Sequence, residues 1–225
     1  MSRSKVLEQT WDDSYPTDDK ERLWPDEVVP VVGFARRFFV ANATILDLPC
    51  GDGKNVQALA ELGPVVAADS SERALDICET RRRAQNLSNV VTMKADAFRT
   101  PFSDGAFENV FCCDLLGHLP DAEDAMDELR RITSPSGTAV ITVFTERDSV
   151  LQDERMRKNE DGSYWFRDRW FFRFYTESAA RDLATRSGFK VVDIEELTWW
   201  EPPHPGYREY RHQHSSWALA LRKTA

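Results

Sequence analysis

The stretch ILDLPCGDGKNVQALAELGPVVAADSS, from Ile45 to Ser71, decides the fold. Ile45 to Leu48 is a short apolar run containing Asp47, and after Pro49 the sequence Cys50-Gly51-Asp52-Gly53 lets the backbone turn tightly and pass close to a ligand. Asn55 to Leu62 has the spacing of an amphipathic helix. Val65 to Ala68 reads as the next strand, with Asp69 at its carboxyl end, roughly 20 residues past the turn. An acid in that position accepts hydrogen bonds from ribose hydroxyls, so the unit is expected to hold a nucleoside.

The dinucleotide fingerprint needs a third small residue where helix and strand approach, and here Gly51 and Gly53 are followed by the β-branched Val56. A P-loop is excluded because no Gly-Lys-Ser/Thr closes a suitable loop. Outward from this unit, strands are expected at 44–48, 65–69, 90–94, 108–113 and 138–144. They alternate with helical patterns at 54–62, 71–85, 121–132 and 176–187, which predicts a parallel sheet with crossover helices. Apolar residues at helical spacing also run from Asp26 to Phe39. The single domain spans residues 1–225.

The chain resembles the class I S-adenosylmethionine-dependent methyltransferase family. Asp47, Gly51 and Gly53 match its first motif, with Pro49 where the first glycine normally stands. Ala95 to Phe144 (ADAFRTPFSDGAFENVFCCDLLGHLPDAEDAMDELRRITSPSGTAVITVF) resembles its middle and third motifs. The resemblance implies a Rossmann-like α/β doubly wound sheet of seven strands, mostly parallel with an antiparallel C-terminal strand, and the β-rich segments Lys190 to Trp200 and Tyr210 to Arg222 resemble the terminal antiparallel pair of that fold. It implies S-adenosyl-L-methionine as cofactor and S-adenosyl-L-homocysteine as product. Asp69, with Ser70 beside it, would hold the ribose, Asp96 the exocyclic amine and the Ala97 amide the adenine ring. Cys113, Asp114 and Leu115 would lie along the methionine portion. Pro49, Cys50 and Asn55 complete the expected cofactor contacts around the glycine turn, and Ser134 to Gly137 matches the turn before the fifth strand. Trp11 and Tyr15 resemble lid residues of small methyltransferases, in an N-terminal lid and helix over residues 1–40 that is expected to order on cofactor binding.

A net charge of −9 disfavours a nucleic-acid substrate. Arg81-Arg82-Arg83 closes a helix whose dipole favours cations there, and Asp121 to Glu128 opens one as a solvated face. No apolar run approaches a membrane span and no signal peptide is evident, so a cytoplasmic location without membrane partners is expected. Cys50, Cys78, Cys112 and Cys113 lack a disulfide framework and read as buried thiols.

Eight of the twelve residues from Tyr164 to Tyr175 are aromatic. This insertion after strand 5, residues 150–175, reads either as mutually packed rings or as a lid in which Tyr175, Phe174 or Trp170 attracts the sulfonium. His118, following the fourth strand, and Tyr175 are the candidates for orienting the acceptor or removing its proton. His212 and His214 share one face of a strand, but with no acid or cysteine beside them in a ligand pattern no metal is assigned, and a polar pocket wall or a salt-linked surface strand is expected instead. Arg167, Arg169, Arg173 and Arg208 are available to clamp a carboxylate. The function expected is methyl transfer to a small molecule. Two alternatives are a cyclase that consumes the cofactor and releases methylthioadenosine, and a non-catalytic nucleoside-binding module.

Overall fold

The computed structural model describes residues 9–18, 23–24 and 29–224. Strands β1 (Ile45–Asp47), β2 (Val65–Asp69), β3 (Val90–Lys94), β4 (Phe107–Cys112) and β5 (Thr133–Phe144) run parallel. The long strands β9 (Phe189–Glu201) and β10 (His212–Lys223) complete a seven-stranded sheet of order β3-β2-β1-β4-β5-β10-β9, with β10 antiparallel to both neighbours. Chain direction across the sheet reverses between β1 and β4, which opens a crevice beyond their carboxyl ends.

Alternation along each strand supplies both faces. Leu46, Val110 and Ile141 pack with Met126, Leu129 and Leu183 from helices α4 (Ala122–Ile132) and α5 (Glu177–Arg186). Their neighbours Ile45, Phe111 and Val140 pack on the other face with Phe34, Leu59 and Cys78 from α1 (Pro30–Arg36), α2 (Val56–Ala60) and α3 (Glu72–Ala84). Each such aliphatic side chain contributes roughly 1.5–3 kcal/mol on burial. Ser71 starts α3 by accepting the Ala74 amide proton, and Thr176 does the same for α5 at Ala179. The helix expected from Asp26 is described from Pro30, residues 25–28 lying outside the described residues.

Three local readings change. Ser134 to Gly137 belongs to β5, which starts directly from α4, and a Cβ on Gly137 would stand 2.8 Å from the Glu108 carbonyl. Arg81 is not a solvated dipole partner: it is buried and donates through Nη1 to the Asp52 carboxylate at 3.1 Å. Glu128 is likewise inside, accepting from the Thr100 amide and hydroxyl and from Arg131. All four cysteines are free and buried.

The aromatic insertion is a separate antiparallel sheet of β6 (Met156–Lys158), β7 (Tyr164–Phe166) and β8 (Trp170–Phe172). Phe166, Trp170 and Phe172 are buried in a cluster that includes Tyr15, Phe144 and Tyr207. The same cluster meets the N-terminal segment, where the Trp170 indole donates to the Ser14 hydroxyl at 3.3 Å. Phe144 is held tightly: a Cβ on Gly117 would fall 2.2 Å from its Cδ2 atom. Gly117→Ala is therefore expected to lower stability by about 1–3 kcal/mol through overpacking, read as a shift in urea midpoint with unchanged slope. An unchanged midpoint would show that Phe144 moves freely. Among the described residues, no helix is long and apolar enough to cross a membrane.

Candidate active site

The glycine turn after β1 is built to admit a ligand. Gly51 and Gly53 have φ of +54° and +86°, a region other residues enter with strain. The Gly51 amide donates to Asp69 Oδ2 and the Ser71 amide to Asp69 Oδ1, both at 2.9 Å, so the carboxylate at the end of β2 fixes the turn after β1. Gly53 faces inward instead, where a Cβ would stand 2.9 Å from Cys78 Sγ. Asp52 anchors the turn from below through Arg81 and accepts the Trp24 amide at 2.9 Å.

The pocket above this turn, at the switch between β1 and β4, is lined by Tyr15, Pro49, Cys50, Gly51, Asn55, Asp69, Ser70, Asp114, Leu115 and His118 among the residues expected from the sequence. Asp47, Gly53, Asp96, Ala97 and Tyr175 do not line it. Asp47 lies beneath, fully buried, with neither carboxylate oxygen hydrogen-bonded. Burial, and then the neighbouring Asp69, hold its pKa well above the carboxylate range. Asp96 accepts the Phe98 amide at 3.0 Å. Tyr175 is packed in the core with Leu183 and Leu219. The rings at the pocket wall are Trp11, Tyr15, Trp24, Phe144 and Tyr207, not Trp170, Phe174 or Tyr175.

Burial raises Asp69 to about 6, against the opposing pull of the Ser71 and Gly51 amides. It is therefore mostly ionised at neutral pH. His118 is buried among Trp11, Phe144 and Phe172, whose centroids lie 4.5–4.9 Å away. Its Nδ1–H donates to the Phe171 carbonyl at 2.8 Å, which leaves Nε2 as an acceptor. Burial lowers its pKa to about 4, so the ring is neutral at pH values where the carboxylate is charged. The N-terminal segment closes the roof. Asp12 accepts from the Ser71 hydroxyl at 2.7 Å, bringing Trp11 and Tyr15 over the glycine turn.

The polar pocket wall expected at His212 and His214 is present at His214, but sequence reasoning missed its partners Lys54 and Glu201. Lys54, Glu201 and His214 also line this pocket. Antiparallel register sets Glu201 opposite His212, and the turn between the strands returns His204 to the same place, so the acid absent beside His212 and His214 in sequence is beside them in space. Lys54 forms a buried ion pair with Glu201. Arg208 is buried on Asp148 and Ser149, whereas Arg167 pairs with Glu209 and Arg173 with Asp161.

These features define a Rossmann-like protein with a pocket at its switch point. The methyltransferase domain family matches residues 46–141. Over 115 residues the chain is 33% identical to a demethylmenaquinone methyltransferase of Lactobacillus johnsonii, covering 47% of each protein. It is 27% identical over 184 residues to the demethylmenaquinone methyltransferase of Staphylococcus carnosus, covering 73% of this chain and 75% of that one. The chain spans less than half the length of the first of these relatives. Among solved structures, the 1,6-didemethyltoxoflavin-N1-methyltransferase of Burkholderia thailandensis, holding 1,6-didemethyltoxoflavin and S-adenosylhomocysteine, aligns with a TM-score of 0.72 at 21% identity over 99% of this chain and 89% of that one. The matched domain, residues 46–141, is a methyltransferase domain, and the chain around it takes the fold of the S-adenosylhomocysteine-bound methyltransferase.

Proposed function

We propose that the protein transfers the methyl group of S-adenosylmethionine to a small-molecule acceptor, releasing S-adenosylhomocysteine. The observation that carries this reading is the meeting of Asp69 with the Gly51 turn at the pocket floor. Ionised Asp69 accepts the two ribose hydroxyls, and Gly51 gives the nucleoside close access to the backbone. Bound cofactor supplies an electrophilic methyl group. The chain's own contribution is to align the acceptor with it and exclude water, which recovers roughly 7–11 kcal/mol of barrier in well-oriented reactions. Trp11, Tyr15, Phe144 and Tyr207 supply the apolar walls, and faces of such rings favour a sulfonium. His118 offers Nε2 as a hydrogen-bond acceptor that orients the acceptor's proton, and its low basicity makes it a weak base. The acceptors named for the relatives, demethylmenaquinone and 1,6-didemethyltoxoflavin, are small molecules.

Incubation of the purified protein with S-adenosylmethionine alone, followed by mass spectrometry, tests the reading. The expected result is bound, unconsumed cofactor, with S-adenosylhomocysteine formed only when an acceptor is added. Saturable release of methylthioadenosine with a cyclised amino acid would overturn it in favour of a cyclase.

A further inference from the structure

We propose that Glu201, His204, His212 and His214 form a binding site for one divalent first-row transition-metal ion in the wall of the pocket. The four residues are all buried, and one ligand atom from each lies within 4.8 Å of the others. Glu201 Oε2 stands 2.7 Å from His204 Nε2, 3.3 Å from His214 Nε2 and 3.7 Å from His212 Nε2. Ligand atoms around a tetrahedral ion with bonds of about 2.0–2.1 Å are roughly 3.4 Å apart, so little movement separates this cluster from a coordination shell.

The surroundings of each ring set its tautomer. His204 Nδ1 lies 3.0 Å from the Leu23 carbonyl and His212 Nδ1 lies 2.8 Å from the Tyr210 carbonyl. A carbonyl oxygen only accepts, so both Nδ1 atoms carry hydrogen. His214 Nδ1 meets the Asp148 carboxylate at 2.9 Å, which imposes the same tautomer. Neutral rings held this way present three Nε2 lone pairs to one centre, the arrangement in which a carboxylate or carbonyl on one ring nitrogen aims the other at a metal. His212 Nε2 is buried with no hydrogen-bond partner. Glu201 is aimed as well: its Oε1 is held by Lys54 and by the Trp199 indole at 2.8 Å, leaving Oε2 for the cluster. Three nitrogens and one oxygen are the donors that zinc and its first-row neighbours prefer.

Two cations lie close, and both are spoken for by carboxylates. Lys54 pairs with Glu201 Oε1, and Arg208 is 3.3 Å from Asp148 Oδ1 and 2.9 Å from the Ser149 hydroxyl. Arg208 Nη1 also reaches 3.5 Å from His214 Nε2, so an entering ion requires the guanidinium to remain on Asp148 and Ser149. The competing arrangement fills the centre with protons, Glu201 Oε2 then accepting N–H groups from protonated rings.

The experiment strips the full-length protein with a chelator, titrates it with Zn2+ by calorimetry, and measures retained metal after dialysis. The expected result is about one equivalent per chain in the wild type, with uptake weakened at least about a hundredfold in His204→Gln and His212→Gln. Visible absorption of bound Co2+, with its ligand-field bands altered in the same variants, identifies imidazole as the ligand independently. Substoichiometric uptake by folded wild-type protein would overturn the proposal, and so would equal uptake by folded variants, which would put the ion elsewhere. The wild-type titration and Co2+ spectrum decide the matter even if a variant does not fold. Neither readout depends on methyl transfer, so failure of that activity leaves this result unaffected.

Discussion

Arg81→Met is expected to destabilise the fold by about 3–5 kcal/mol near pH 8, a large share of the roughly 5–15 kcal/mol that a domain possesses. The pair it breaks is inside the molecule: Asp52 is fully buried and Arg81 is 4% exposed. Met keeps the helical propensity and much of the volume of the stem but leaves a carboxylate without its cation. Asp52 already has a raised pKa because burial disfavours its charge, opposed by the Trp24 amide and by Arg81. Without Arg81 it rises further. A carboxyl whose folded pKa lies above its unfolded value stabilises the fold most below the unfolded value, and that contribution is lost as pH rises through the folded one. The deficit of the variant relative to the parent should therefore shrink in mild acid, where Asp52 takes up a proton, and grow toward pH 8. Asp52→Asn added to Arg81→Met should restore more than half of the loss, because the neutral side-chain oxygen can still accept the Trp24 amide proton. Urea unfolding at both pH values measures this. A deficit independent of pH, or no recovery in the double variant, would mean that Arg81 acts through packing alone.

The parallel part of the sheet was legible because β1, β2, β4 and the latter half of β5 are short apolar runs bounded by turn residues, and because each is followed by a helical period or an acid. The floor of the pocket was legible for the same reason: Gly51 and Asp69 act through backbone geometry and sit at fixed places relative to their strands. What was not legible depends on pairing between distant segments. Lys54 lies within the deciding stretch, yet its partner Glu201 is 147 residues away, and only the register of β9 against β10 brings that glutamate to His212. The spacing Glu201-x-x-His204 followed by His212-x-His214 was the available signal, since three residues across a proline turn and two along a strand can each put side chains on one side. Arg81 and Glu128 were misread because charge patterning gives a helix's polar residues without saying which of them meet a buried partner. The aromatic run raised the right contrast between packing and lid but not its answer: the ring that reaches the pocket from β5 is Phe144, while Phe166 and Phe172 pack behind it.

Asp69→Asn should weaken S-adenosylhomocysteine binding by at least about a hundredfold. Two hydrogen bonds from ribose hydroxyls to an ionised carboxylate are worth about 1.5–3 kcal/mol each, and a loss of roughly 3 kcal/mol corresponds to that factor. Asparagine has the shape but one acceptor oxygen, whereas Asp69 receives the Gly51 amide on one oxygen and the Ser71 amide on the other. In the variant an NH2 group must face one of these amides or turn toward the ligand, so either the glycine turn or the ribose loses its partner. The pH dependence separates charge from shape. With Asp69 at about 6 before binding, wild-type affinity should be nearly constant above pH 7 and fall toward tenfold per unit well below 6, as protonation removes the acceptor. The variant has no such group and its affinity should be flat across that window. Calorimetric titration between about pH 5 and pH 8, with circular dichroism to verify that both proteins remain folded, gives both quantities. Affinities within threefold of each other at pH 8 would remove Asp69 from the nucleoside site. A variant that kept the wild-type slope would assign the titration to another group lining the pocket, with Asp114, also raised by burial, the first to replace.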